Sequence, residues 1–457
     1  MDKQLRRTFL QRLSIGLSAA LAPLPSIKVQ AADSPPEPYN LLMIVLDDLN
    51  DWAGYLGAHP QAKTPNIDKL SQSSIAFHNA VCQVPLCNAS RTATLTGLLP
   101  QKTNIWWNYQ SEAVDFATLP DQLRLNGYKT TVGGKIHHHF RTASWDKNVT
   151  AGGHYRGTPV DEETCVINCT FDVSPVEESK EELRTYKTAM KIASELTIAT
   201  EPFAIFHGID MPHTPYYLPQ EYFDRFPIED IVLPQVIDND LDDIPPNISD
   251  YPNPIKAKLQ RQIHAKIVDI GMWEELVQGY LAATAYADDC VGVTLDALEA
   301  SGKLEQTIVV LWSDHGLHLG QKQRWGKSTL WGESLRVPLL MRVPGYTPGA
   351  CTRAVGLIDI YPTIMDLLRI TPPYSLDGRS LIPLLENPNA EWNYPVPIMQ
   401  DRHFYGARTE HWRFARRLKN GVVEEELYHV SSDPNEFKNL ASNPFFNNVK
   451  SQLDIPW

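Results

Sequence analysis

The chain has 457 residues, of which 43% are hydrophobic, enough for one large α/β domain with a smaller partner and too apolar for a disordered chain. Its formal charge of −13 argues against a nucleic-acid partner, because phosphate binding needs a basic face that releases counterions. Positive charge for an anionic substrate must therefore be gathered in a local pocket.

The first residues, MDKQLRRTFLQRLSIGLSAALAPLPSIKVQAAD, set Arg6 and Arg7 ahead of Phe9 and Leu10, a modest apolar run from Leu13, and small residues near Ala31. This pattern reads as a twin-arginine export signal over residues 1–32, cleaved close to Ala31 or Ala32. The protein is thus expected to be periplasmic or secreted. The apolar run is too short to cross a bilayer, and no later segment reaches the ~20 apolar residues that crossing requires. No membrane span is expected, and no cysteine follows the run to carry a lipid anchor.

Beyond the signal, apolar runs alternate with helical patterns, the signature of a parallel sheet wrapped by helices. Four runs break into charged residues at their carboxyl ends: NLLMIVLDDLN at Asp47 and Asp48, GYKTTVGGKIHHH at Lys135, His137 and His138, PFAIFHGIDMPHTP at His213, and TIVVLWSDHG at Asp314 and His315. In an open α/β sheet such ends converge on the ligand site. Asp47, Asp48 and Asp314 would repel one another unless a cation lay between them, so a metal site of hard oxygen ligands is expected, with calcium ahead of magnesium. His315 is the odd member, since imidazole suits hard cations less well.

CNASRTATLTG should begin a helix with Cys87 at its amino end, where free N–H groups and the helix dipole favour an anion. A thiol there would be activated, yet a thiolate hydrolase has no need of three carboxylates and a metal. Of the other cysteines, Cys165 and Cys169 are left either paired or free, and Cys290 falls on a helical pattern as a small core residue. Pro-rich ITPPYSLDG marks a boundary near residue 371. Beyond it, RTEHWRFARRLKNGVVEEELYHV reads as an antiparallel hairpin turning at Asn420-Gly421, followed by a short closing helix. The expected domains are 33–370 and 371–457.

The cysteine segment resembles the signature of the type I, formylglycine-dependent sulfatases. Cys87, Ser90, Arg91, Leu95, Thr96 and Gly97 match, with Ala89 in place of the usual Pro. TPNIDKLSQSSIAFHNAVCQ, VGGKIHHH, MPHTPY, SDHG, GKSTLWGESLRVPLLMRVPG and ELYHVSSDPNEFKNLA match further family segments in order, a combination too long for chance. His315 and the histidines after Lys135 look most like the iduronate-2-sulfatase-like branch.

The resemblance implies an alkaline-phosphatase-like sandwich, with a large mostly parallel sheet flanked by helices and a small C-terminal domain with an antiparallel sheet. It also implies that formylglycine-generating machinery converts Cys87, and that the hydrated aldehyde attacks the sulfur of a sulfate ester. Asp47, Asp48, residue 87, Asp314 and His315 would hold the cation, while Arg91, Lys135 and Lys327 add positive charge. His213 is the expected general acid, aided by Lys327. The base is His138 by iduronate-type spacing or His137 by arylsulfatase spacing. The implied substrate is a sulfated oligo- or polysaccharide, glycosaminoglycans among them, with Trp106, Trp107, Arg324 and His403 as candidates for its pocket. The alternatives are an arylsulfatase, a phosphatase or phosphodiesterase of the same superfold, and a silent glycan binder should Cys87 stay unmodified.

Overall fold

Along the strand Asn40–Leu46 (β1), Leu41, Met43 and Val45 enter one apolar core while Leu42, Ile44 and Leu46 enter another. Successive side chains point to opposite faces, so an all-apolar strand must be covered on both sides. The computed structural model describes residues 38–455 apart from 112–114, 154–156, 159–170, 201 and 253. The export signal, Cys165 and Cys169 lie outside the described residues.

The sheet around β1 has eight strands. The others are Ile75–Phe77 (β2), Lys129–Gly134 (β3), Lys147–Asn148 (β4), Phe203–Ile209 (β5), Thr307–Ser313 (β6), Leu339–Arg342 (β7) and Gly349–Cys351 (β8). Their spatial order is β8-β2-β7-β6-β1-β5-β3-β4. Only β7 runs against the rest.

Helices Pro65–Gln72 (α1), Arg184–Ile198 (α3) and Trp273–Ala300 (α4) cover one face, and Cys87–Thr96 (α2) and Ile360–Leu367 (α5) cover the other. Each Leu or Ile fully buried in these cores contributes about 1.5–3 kcal/mol. Cys290 lies buried within α4, in the second core. No helix among the described residues is long and apolar enough to cross a membrane.

The C-terminal sheet is a four-stranded antiparallel meander of Val396–Asp401 (β9), Phe404–Arg408 (β10), Trp412–Lys419 (β11) and Val422–His429 (β12). The turn between β11 and β12 puts Asn420 at φ 53° and Gly421 at φ 78°, the left-handed pair that matches the twist of a tight hairpin. A short helix, Asn447–Leu453 (α6), closes the described chain. The mostly parallel sandwich with its antiparallel C-terminal sheet is the fold class expected from the sequence.

Candidate active site

Every residue of α2 is buried, although most are polar, so each polar group needs a partner inside the protein. The hydroxyls of Thr94 and Thr96 bond the carbonyls of Ser90 and Thr92 at 2.9 and 2.7 Å. The Asn88 amide bonds the carbonyls of Trp107 and Gln110 at 3.0 and 2.9 Å. Ser90 Oγ donates to the Asp314 carbonyl. Gly97, at φ 67°, ends the helix where a Cβ would press on Leu376 and Tyr361. These constraints hold Cys87, the first helical residue, at one fixed point above the ends of β1 and β6.

Three cations meet three carboxylates there. Arg91 Nε donates to Asp314 Oδ2 at 2.8 Å and Nη2 to Asp47 Oδ1 at 3.3 Å. Lys135 Nζ meets Asp47 Oδ2 at 2.5 Å, and Lys327 Nζ meets Asp48 Oδ1 at 2.6 Å. Asp314 Oδ1 accepts the backbone N–H groups of Asp48 and His315 at 3.1 and 3.0 Å. Cys87 Sγ lies 3.2 Å from Lys327 Nζ and 3.2 Å from His315 Nε2.

Burial opposes charge throughout this cluster, and the charged neighbours decide the outcome. At Asp47, Lys135 and Arg91 outweigh burial and hold the carboxyl well below its usual range. The Cys87 thiol is likewise lowered, against burial, by Lys135 and Lys327. Lys327 is raised, against burial, by Asp48 and the thiol. His315 rises to about 9, against burial, through Asp314. Asp314 goes the other way, pushed up to about 6 by burial despite Arg91.

Ligand atoms of Asp47, Cys87, Asp314 and His315 all lie within 4.8 Å of one another. His315 Nδ1 faces the Gly316 carbonyl at 3.0 Å, an arrangement that fixes the tautomer and leaves Nε2 for the cluster. Two carboxylates and an imidazole beside the residue-87 side chain are a donor set that fits a divalent cation. Asp48 stands next to this quartet, with Oδ1 3.4 Å from His315 Nε2.

His213 Nδ1 is 2.7 Å from the Thr214 carbonyl, and its Nε2 points toward Asp48 Oδ2 at 3.9 Å. His137 and His138 line a cavity of about 280 Å³ that also takes in Lys135, Trp145, Arg184 and Asp210. His137 packs on Trp145 with ring centroids 5.7 Å apart, and burial pushes its pKa down to about 3. His138 is half-buried, its Nδ1 without a hydrogen-bond partner among the described residues.

Of the four candidates for a sugar pocket, Trp106 packs in a small apolar cluster with Val84, Ala89 and Met399, with half-buried Trp107 against it. Arg324 is buried and donates to the Ser249 carbonyl. His403 sits exposed between β9 and β10. Reading the sequence alone missed Tyr280, whose hydroxyl donates to the Asp48 carbonyl at 2.8 Å and accepts from Asn50 N at 2.9 Å. Its place in the apolar stripe of α4 gave it the look of a core residue. Asp210, at the end of β5, was the available signal for the cavity beside Lys135.

Residues 39–370 match the family described as Sulfatase, and residues 320–455 match the one described as N-sulphoglucosamine sulphohydrolase, C-terminal. A sulfatase of Formosa agariphila is 29% identical over 435 residues, covering 88% of this chain and 83% of its own. Human iduronate 2-sulfatase is 29% identical over 405 residues, 78% of this chain and 68% of the relative. A solved structure in complex with its substrate D-glucosamine-2-N,6-O-disulfate shares the fold, with a TM-score of 0.72 at 20% identity over 91% of this chain and 96% of that one. The first match runs from the strand that carries Asp47 to the helix beyond Lys327, and so takes in the whole cluster: the chain belongs to the sulfatase family.

Proposed function

We propose that this sulfatase removes sulfate from a sulfated oligo- or polysaccharide, with residue 87 converted to formylglycine and a divalent cation, calcium before magnesium, held by Asp47, Asp48, Asp314 and His315. The observation that carries the reading is the side chain of Cys87, fixed at a helix start within 3.2 Å of both Lys327 Nζ and His315 Nε2. A nucleophile placed there meets an incoming sulfate among groups already oriented, which lowers a barrier more than mobile water does. The relative named for iduronate supports a sugar substrate.

In this reading Arg91 fixes the carboxylates of Asp47 and Asp314. Lys135 and Lys327 bring the positive charge that a sulfate must meet, supplied locally in a chain of charge −13. When bound, the cation supplies Lewis-acid charge to the sulfate. His213, oriented through Nδ1, presents Nε2 to protonate the leaving sugar oxygen. His138, by its spacing from Lys135, takes the proton that lets sulfate leave and the aldehyde return. His137, held neutral by burial, shapes the cavity wall. Residues 1–32 export the chain by the twin-arginine route, with 33–370 and 371–457 as the catalytic and C-terminal parts.

The test is a mass spectrum of the Cys87 peptide, read with parallel assays on a sulfated sugar, an aryl sulfate and an aryl phosphate. Conversion exchanges one sulfur and two hydrogens for one oxygen. A converted enzyme that leaves sulfated sugars untouched while hydrolysing the aryl sulfate sinks the carbohydrate assignment. Full turnover with an intact thiol sinks the formylglycine assignment.

A further inference from the structure

The cavity beside the nucleophile, about 280 Å³, is one of several among the described residues. A larger one, about 770 Å³, includes Trp52, His59, Asn79, Glu333, Arg336 and Arg408 in its wall, and no member of the hydrolytic cluster lines it. Its volume falls within the ~300–1,000 Å³ usual for small-molecule sites.

The charges in its wall do not cancel. Arg336 is paired, with Nη1 2.9 Å from Asp51 Oδ2, and Glu410 is paired with Arg353. Arg408 is different. Its Nε and Nη2 both donate to one neutral amide oxygen, Asn79 Oδ1, at 3.2 and 2.9 Å. Across the strands its register partner is Arg413, whose own charge is taken up by Glu426 and Glu436. Burial lowers Arg408 to about 10 despite the pull of Glu436, so its charge is only partly repaid. In the same wall, Glu333 Oε2 is buried without a hydrogen-bond partner among the described residues. Burial and Glu436 raise that carboxyl to about 8, so near neutral pH it offers a proton rather than a charge. A guanidinium in a cavity wall with no carboxylate in ion-pair distance among the described residues suits an oxyanion.

The wall continues. A neighbouring cavity of about 540 Å³ shares Glu410 and His411 with the first and carries Trp392 and Tyr394. Tyr394 is 46% exposed, a flat apolar face of the kind on which a sugar ring can lie, with a polar edge to bond its hydroxyls.

We propose that the 770 Å³ cavity is a second binding site for an anionic saccharide, a sugar bearing a sulfate or a carboxylate, recognised by Arg408 apart from the hydrolytic centre. The sugar rests on the function proposed above, and the anion rests on the cavity itself. A polymer held here presents its other residues to the catalytic cluster at raised effective concentration.

The experiment uses the full chain carrying Cys87→Ala, so that binding is read without turnover. Calorimetric titration compares a sulfated oligosaccharide, an unsulfated uronate oligosaccharide, a neutral one of equal length, and inorganic sulfate. Two sites per chain are expected for a charged oligosaccharide, the sulfated and uronate arms telling which anion is read. Adding Arg408→Gln should weaken one site about tenfold or more, the scale of a lost charged hydrogen bond. Ala58→Glu, on the exposed rim of the same cavity, should do the same by repulsion without removing an internal bond. In the otherwise unaltered enzyme, Ala58→Glu should leave hydrolysis of a sulfated monosaccharide unchanged.

One site per chain for every probe, indifferent to both variants, overturns the proposal. Inorganic sulfate or the neutral sugar filling the second site as well as a charged oligosaccharide overturns it too. Two sites in an enzyme that hydrolyses no sulfated sugar overturns the proposed function and leaves this site standing.

Discussion

Arg91 is wholly buried and carries its charge between Asp47 and Asp314. Asp314→Asn keeps the shape of the side chain and removes the charge, leaving a buried guanidinium half paired, a change worth about 3–5 kcal/mol when a buried pair is broken. The variant should unfold at lower denaturant, lose turnover and carry no cation. Full metal content in the purified protein would show the cation site to be elsewhere. A second residue contributes to the acid limit of the fold, alongside His137 and His318. Burial depresses His207 from 6.5 to about 3, while its Nδ1 bonds Thr294 at 2.8 Å. The unfolded chain therefore binds a proton that the folded chain refuses, and this contribution is whole above pH 6.5 and is lost as pH falls toward 3, by up to about 1.4 kcal/mol per pH unit. His207→Asn should flatten the fall in urea midpoint over that window. An unchanged slope would mean that His207 does not couple to folding.

At the scale of the element, the hairpin β11–β12 depends on its two turn residues. Gly421→Val forces a branched side chain to φ 78°, at about 1–2 kcal/mol, and should lower the melting midpoint with turnover kept. Equal stability would mean the turn had rearranged. This hairpin was legible in the sequence because Asn-Gly between alternating runs is a local signal. The strands ending in Asp47, Lys135, His213 and Asp314 were legible for a related reason: an apolar run breaking into charge is visible one strand at a time. What no single strand carries is the partner of each group. That Lys327 would reach Asp48 and Cys87, that Tyr280 would bond the Asp48 carbonyl, and that Trp106 would pack into a core are matters of loops folding back across the sheet. In the sequence Arg408 is only the first residue of the segment read as a hairpin. Its place in the cavity wall, bonded to the Asn79 amide rather than to a carboxylate, exists only once β10 and Asn79 lie together.

Across the whole molecule, the C-terminal sheet grips the loop that carries Lys327. Arg413 Nε donates to Glu436 Oε1 at 2.7 Å and its Nη1 to Glu426 Oε2 at 3.3 Å. Those same carboxylates accept from Trp331 Nε1 at 3.0 Å and Gly332 N at 3.1 Å. Arg413→Ala strands two buried carboxylates, so a loss of about 3–5 kcal/mol is expected, with kcat falling as the Lys327 loop loosens. Unaltered kcat in a destabilised but folded variant would show the grip to be structural alone. The central sheet, for its part, imposes an order of events. β1 lies between β5 and β6, strands made long after it, and the floor beneath α2 includes Asp314, later still. While the chain is being made, the helix that begins at Cys87 has nothing to shut it in. Once β6 docks, the cysteine is 1% exposed, beyond the reach of another protein's catalytic groups. The conversion proposed for residue 87 would then have to come before that closure. Native unconverted protein should resist modification however long it is incubated with the formylglycine-generating machinery, whereas the same chain presented during refolding should be converted. Equal conversion of both would mean that α2 opens without the sheet.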